Sequence, residues 1–270
     1  MIRNPAVADQ FYPGKPEALA RELKTLVEPA DKKARKEPAL GIVVPHAGYI
    51  YSGRVAGQVY SRVEVPPVAV ILGPNHTGHG SPVSLFAEGE WRMPLGPVRI
   101  DRELAQKILS HSRLLTPDPR AHLQEHSLEV QVPFLQYFNP GIAIVPICLG
   151  WLDYQECQEV GQALARALEG LKPRPLIVAS SDMTHYETQK SAEKKDKAAI
   201  DKILKLDPEG LLAVVEKDNI TMCGVIPTAV MLIAALALGA KKAELVAYAT
   251  SGDVSGDYAK VVGYAGLIVA

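Results

Sequence analysis

Apolar positions along the chain follow two periods. Leu19, Leu23, Leu26 and Val27 recur at helical spacing and predict an amphipathic helix over Pro16 to Val27. Short unbroken apolar runs at Ala39 to Val44, Val68 to Leu72, Ile142 to Leu149 and Pro175 to Ala179 predict strands buried on both faces. Helical patterns lie between and after them. One is capped by Ser52 and runs through Arg62, and another is capped by Asp101 and runs through His111. Further helices are predicted over Ser127 to Phe138, interrupted near Pro133, and over Tyr154 to Leu168, Ser191 to Leu204 and Val225 to Leu238, with a short one behind Asp207 and Pro208. Residues 77 to 100 carry Gly, Pro and short β-like pieces and read as a loop with a hairpin; Glu28 to Pro38 and residues 112 to 125 read as loops. Strands near Ala243 to Ala249 and Val261 to Val269 close the chain. Strands alternating with helices predict a three-layer α/β/α fold with a mostly parallel central sheet. No shift of composition divides residues 1–270, so a single domain is expected.

Composition narrows the function more than the fold. The formal net charge of the 270 residues is -1, which gives no field to gather nucleic acid or an anionic membrane. The basic clusters, Lys32, Lys33, Arg35 and Lys36, and then Lys194, Lys195 and Lys197, are interspersed with acids and read as solvated surface. Three cysteines make no disulfide framework; Cys148 and Cys157 read as reduced packing residues. Val225 to Leu238 is too short for a bilayer span and reads as a core helix. The opening residues have no apolar h-region, so a cytoplasmic location is expected.

The chemistry concentrates at strand ends. His46, His76 and His185 each follow an apolar strand within a few residues of its carboxyl end, the edge where open parallel sheets bind ligands. Converging imidazoles are a metal-site signal. Cys223 precedes the apolar helix from Val225, where free N–H groups favour a thiolate, the form that ligates metals. Asp182, three residues before His185, is expected to orient an imidazole by accepting its ring N–H. His126 is a candidate hydrogen-bond donor to the same crevice, and His122 is undecided. His79 and His111 read as surface residues, and Asp253 and Asp257 read as turn residues.

These residues lie in an ordered set of motifs: Pro45-His46-Ala47-Gly48-Tyr49, Gly73-Pro74-Asn75-His76, Glu125-His126-Ser127-Leu128-Glu129, Ser180-Ser181-Asp182-Met183-Thr184-His185 and Cys223-Gly224. With Gln10-Phe11-Tyr12-Pro13 near the start and Val262-Gly263-Tyr264-Ala265-Gly266 near the end, the set resembles the MEMO1 family, also called the AmmeMemoRadiSam system protein B family, over essentially the whole chain. The resemblance implies a class III extradiol dioxygenase-like fold. It implies metal ligation by His46 and His76, with Cys223 where those dioxygenases place a glutamate. It also implies an acid/base role for His185 accompanied by Asp182. Iron (Fe2+) or copper is the implied cofactor, and AMMECR1-like and radical SAM proteins are the implied partners. A thiolate in place of a carboxylate is softer and favours Cu(I), Zn2+ or thiolate-bound iron.

Three functions compete at this point. The first is a metal-dependent redox enzyme on His46, His76 and Cys223, with His185 moving protons. The second is an adaptor that reuses the pocket for a small-molecule, peptide or protein ligand. The third is a thiol enzyme with Cys223 as nucleophile and His185 as base, which needs the sulfur within hydrogen-bond reach of that imidazole.

Overall fold

The computed structural model describes residues 1–27 and 36–270; most of the charged loop predicted from Glu28, with Lys32, Lys33 and Arg35, lies outside the described residues. One sheet runs in the spatial order Ile2–Arg3, Glu90–Met93, Gly96–Ile100, Ala143–Leu149, Val68–Pro74, Leu176–Ser180, Gly41–Val44, Val261–Val269 and His185–Glu187. Ala243–Thr250 also pairs with Val261–Val269, and Val83–Leu85 with Ala143–Leu149. The four central strands are mutually parallel. Val261–Val269 runs antiparallel to Gly41–Val44, His185–Glu187 and Ala243–Thr250, so that side of the sheet is antiparallel.

Each central strand sends alternate side chains to opposite sides, as strand geometry requires. Val43, Val70, Leu72, Val145, Ile147 and Ile177 belong to one apolar cluster, while Ile42, Val44, Ala69, Ile71, Ile144 and Val178 belong to another. Helices Tyr154–Leu168, Gln189–Leu204 and Val225–Ala237 contribute to the first cluster. Pro16–Val27, Arg54–Arg62 and Val132–Phe138 contribute to the second. These are the three α/β/α layers expected from the apolar pattern.

Local signals placed most helix starts. Asp101 accepts from the Leu104 N–H at 2.9 Å, and Asp153 forms a reciprocal capping box with Glu156. Ser52 does not cap as predicted. A π-helical turn over Tyr49–Gly53 precedes the helix Arg54–Arg62, and the Ser52 hydroxyl instead donates back to the Ala47 carbonyl at 2.9 Å. Pro133 does not interrupt a helix either. A 3-10 turn over Glu129–Gln131 leads into Val132–Phe138 with Pro133 in its first turn, where a missing N–H costs nothing. The short strand Ile2–Arg3, pairing with Glu90–Met93, was not foreseen.

Strand order decides which loops meet. The Leu176–Ser180 strand inserts between Gly41–Val44 and Val68–Pro74. The segments that follow these three adjacent strands carry Asp182 and His185, His46, and His76, and all leave the same edge of the sheet. Among the described residues no helix is long and apolar enough to cross a membrane.

Candidate metal centre

His46 lies two residues beyond its strand and is buried. Its ring is fixed from the neighbouring strand. The Ser180 hydroxyl donates to the Ser127 carbonyl at 2.6 Å and accepts from the Gln131 side-chain amide at 2.8 Å. With its proton so committed, Ser180 must accept from His46 Nδ1, 3.0 Å away. That assigns the Nδ1–H tautomer and leaves the Nε2 lone pair of His46 bare. This Nε2 lies 3.2 Å from Cys223 Sγ.

His76 is fixed in the same way by a carboxylate. Glu125, fully buried, accepts from His76 Nδ1 at 2.9 Å and from the His76 main-chain N–H at 2.6 Å. It also accepts from the Ser127 N–H at 2.9 Å. Burial works against its charge, but these hydrogen bonds and the nearby imidazoles prevail and hold its pKa at about 2. A carboxylate that orients a histidine and raises its basicity is the usual support of a metal-ligating imidazole. The Nε2 of His76 is thereby left free.

Cys223 reaches the same point from the far end of the chain. Gly224 lets it approach: a Cβ at that position would lie 2.3 Å from the Ser180 carbonyl oxygen and 2.4 Å from Ser181 Cβ. The predicted thiolate is not what the surroundings favour without a cation. Burial pushes the thiol pKa well above its ordinary value, the Asp182 charge adds to this, and the nearby N–H groups recover only part. The Nε2 of His46 likewise avoids a proton, because burial and then the His126, His76 and His185 rings hold its pKa well below the ordinary value.

Donor atoms of His46, His76 and Cys223 thus lie within 4.8 Å of one another. Two ligands of one tetrahedral ion, with bonds of about 2.0–2.3 Å, are separated by roughly 3.3–3.6 Å. The Cys223–His46 spacing of 3.2 Å lies just under this range, and two bare imidazole lone pairs with one displaceable thiol proton are the donor chemistry a soft or borderline metal takes. His76, Glu125 and His126 form a second close group. It is better read as supporting structure than as another ion site, because the Glu125 oxygens are already taken up by N–H donors.

The remaining candidates surround this centre. The His126 ring stacks on His76 with centroids 4.7 Å apart and meets His46 edge-on at 5.4 Å. Its Nδ1 lies 3.4 Å from Glu125 Oε1, and burial lowers its pKa. His185 donates from Nδ1 to the Thr221 carbonyl at 2.9 Å, which leaves its Nε2 lone pair unengaged. Asp182 does not orient a ring as expected. Its carboxylate accepts the His46 main-chain N–H at 2.8 Å, and burial raises its pKa to about 6. The imidazole at the Cys223 sulfur is that of His46, and the thiol pKa is raised rather than lowered, so the geometry lends nothing to a Cys223–His185 nucleophile pair. Cys148 and Cys157 are buried in the core. His122 is buried with Nε2 on the Ser84 carbonyl, and His79 is exposed. Glu125, Ser180 and Gln131 were not foreseen as site residues. The adjacency of Glu125 to His126 was the one signal in the sequence.

The family model described as Memo-like protein matches residues 3–268 of this chain. The chain is 44% identical over 279 residues to a MEMO1 family protein of Methanopyrus kandleri, covering 99% of each. It is 47% identical over 269 residues to a MEMO1 family protein of Methanosarcina acetivorans, again covering 99% of each. It is 45% identical over 270 residues to one from Aquifex aeolicus, covering 99% of this chain and 98% of the relative.

Proposed function

The chain belongs to the MEMO1 family, and on that premise we propose that it is a metal-binding redox protein with iron or copper, and zinc as the non-redox competitor, held by His46, His76 and Cys223. The observation that carries this reading is the convergence of three donors from three distant segments, with each imidazole held through its Nδ1–H so that Nε2 is left as its donor atom. A bound ion would polarise a ligand and, if iron or copper, exchange electrons with it. The residues of the chain do the rest. Ser180 and Glu125 hold the two rings, and Asp182 pins the His46 backbone. His185, with its Nε2 unengaged, accepts or returns a proton on a ligand at the centre. His126 presents its ring beside His76 as a second proton-bearing group.

Elemental analysis with X-ray absorption on protein grown without added metal tests the reading. A redox-active ion with nitrogen and sulfur neighbours is expected, and the sulfur scattering is expected to vanish in Cys223→Ser. Protein that purifies without metal and binds none tightly refutes it. His185→Ala is expected to spare metal binding and abolish turnover.

A second reading has its own observation. Ile50, Tyr51, Trp151 and Tyr186 follow the strands of the site edge and are solvent-exposed, Trp151 at 76% and Tyr186 at 74%. Such a rim suits a peptide or protein ligand. AMMECR1-like and radical SAM proteins are the protein partners to try by pull-down. Binding that survives His46→Ala would favour an adaptor independent of the metal.

A further inference from the structure

The N-terminal segment carries a charged network that the metal reading leaves unused. Arg3 is fully buried, and its guanidinium lies 4.2 Å from the Trp91 ring centroid. Its charge is matched by buried Glu129 at 2.7 Å. Glu129 in turn accepts from the N–H groups of Ala6 and Val7 and from the Tyr12 hydroxyl, so its oxygens are spent on the N-terminal segment. The other arms of Arg3 point elsewhere. Nε donates to the His122 carbonyl at 2.6 Å, and Nη2 donates to the Glu125 carbonyl at 2.8 Å. One planar fork therefore fixes both ends of the turn from His122 to Glu125.

Burying an arginine and a glutamate together is weak support for stability, since both ions give up their hydration. What the pair does is hold geometry. Glu125 is the residue whose carboxylate orients His76, and an error in its main chain is carried to the ring. The same segment touches the site twice more. The Phe11 ring lies 4.8 Å from that of His126, and the Phe11 carbonyl accepts the Tyr49 N–H at 2.8 Å, next to the His46 loop.

We propose that Arg3 is a positioning residue of the metal centre, acting through the Glu125 main chain on the orientation of His76. The consequence for affinity rests on the metal reading; the consequence for the His76 ring does not. Lysine at position 3 can keep the charge opposite Glu129, but its single ammonium cannot reproduce the fork to two carbonyls.

The test uses the full chain, stripped of metal, and two readouts. Nitrogen-15 spectra of the His76 imidazole report whether the Nδ1–H remains fixed, and Co2+ titration reports affinity. In Arg3→Lys the Nδ1–H signal is expected to broaden or shift toward the other tautomer, and the Co2+ Kd to rise at least fivefold. In the Glu125→Gln background the same change is expected to add less than twofold, because the path to His76 is already cut. A core variant on the opposite layer, Leu164→Ala, is expected to lower Tm while leaving both readouts at their wild-type values. If Arg3→Lys does not fold, the charge-neutral pair Arg3→Met with Glu129→Gln takes its place. Wild-type values of both readouts in a folded Arg3 variant overturn the proposal. Absence of Co2+ binding in the wild type overturns the metal reading instead, and the spectra then decide the positioning role alone.

Discussion

Replacing Glu125 by glutamine tests the site where its geometry is tightest. Glutamine keeps the shape of the side chain but exchanges one acceptor oxygen for an NH2 group. The carboxylate accepts from three donors: His76 Nδ1–H, His76 N–H and Ser127 N–H. Either orientation of the amide sets a donor against a donor. The loss of one buried charge-assisted hydrogen bond is worth about 1.5–3 kcal/mol of stability. Supporting groups of this kind carry roughly 10–100-fold in metal affinity, or about 1.4–2.8 kcal/mol. The pH dependence gives an independent check. The folded pKa near 2 lies below the ordinary 4.5, because the His76 and Ser127 hydrogen bonds overcome the upward push of burial. A depressed carboxyl stabilises the fold above its unfolded pKa and loses that contribution as the pH falls toward the folded value. The difference amounts to about 3 kcal/mol, lost between pH ~4.5 and pH ~2. Urea unfolding across that window, with Co2+ competition at pH 7, measures both effects. Glu125→Gln should be less stable at pH 7 and should shed the acid-sensitive step. A variant within about 0.5 kcal/mol of wild type at pH 7, with unchanged Co2+ affinity, refutes the reasoning.

Other outcomes follow from the same contacts. Ser180→Ala removes the acceptor for His46 Nδ1 and strands the Gln131 amide and the Ser127 carbonyl, so a loss of about 1–3 kcal/mol in Tm-derived stability is expected together with weaker Co2+ binding. His122 is held neutral by burial, with its pKa lowered to about 3, whereas the unfolded chain protonates it below the ordinary 6.5. Stability should therefore fall as the pH drops from about 6.5 toward 3, and His122→Asn should reduce the slope between pH 6 and 4.5 by about 1.4 kcal/mol per pH unit. Metal uptake must displace the Cys223 proton, so binding should release a proton and tighten with rising pH, measurable by titration in buffers of different ionisation enthalpy. Gly224→Ala puts a methyl group against the Ser180 carbonyl and should weaken Co2+ binding far more than Gly239→Ala, which meets nothing within 4 Å but sits at a positive φ of 99° and pays in Tm instead.

What could be read in advance was set by short-range pattern. His46 and His76 were legible because each follows a strand that is apolar throughout, and the carboxyl edge of a parallel sheet is a fixed place. Cys223 was legible because a long apolar helix begins two residues later. The residues that hold these side chains were not. Ser180 looks like any strand-terminal serine until the strand order places it beside His46. Glu125 sits in a segment without periodicity, and its partner is 49 positions away. The role of Arg3 depends on a turn more than a hundred positions on. Asp182 was found, but its bond goes to the main chain of His46, a distinction that sequence spacing does not carry.

The sulfur and the imidazole it touches are separated by 177 positions, and the strand inserted between the two histidine strands comes late in the chain. During synthesis, then, the three candidate ligands cannot meet until the chain has been made past Cys223. His46 and His76 leave the ribosome long before their dividing strand exists, and Cys223 follows later still. An ion captured early would have to be held by ligands other than the final three. On the metal reading, loading would wait for the chain past Cys223, and incorporation of an ion would report that the three adjacent strands have come together.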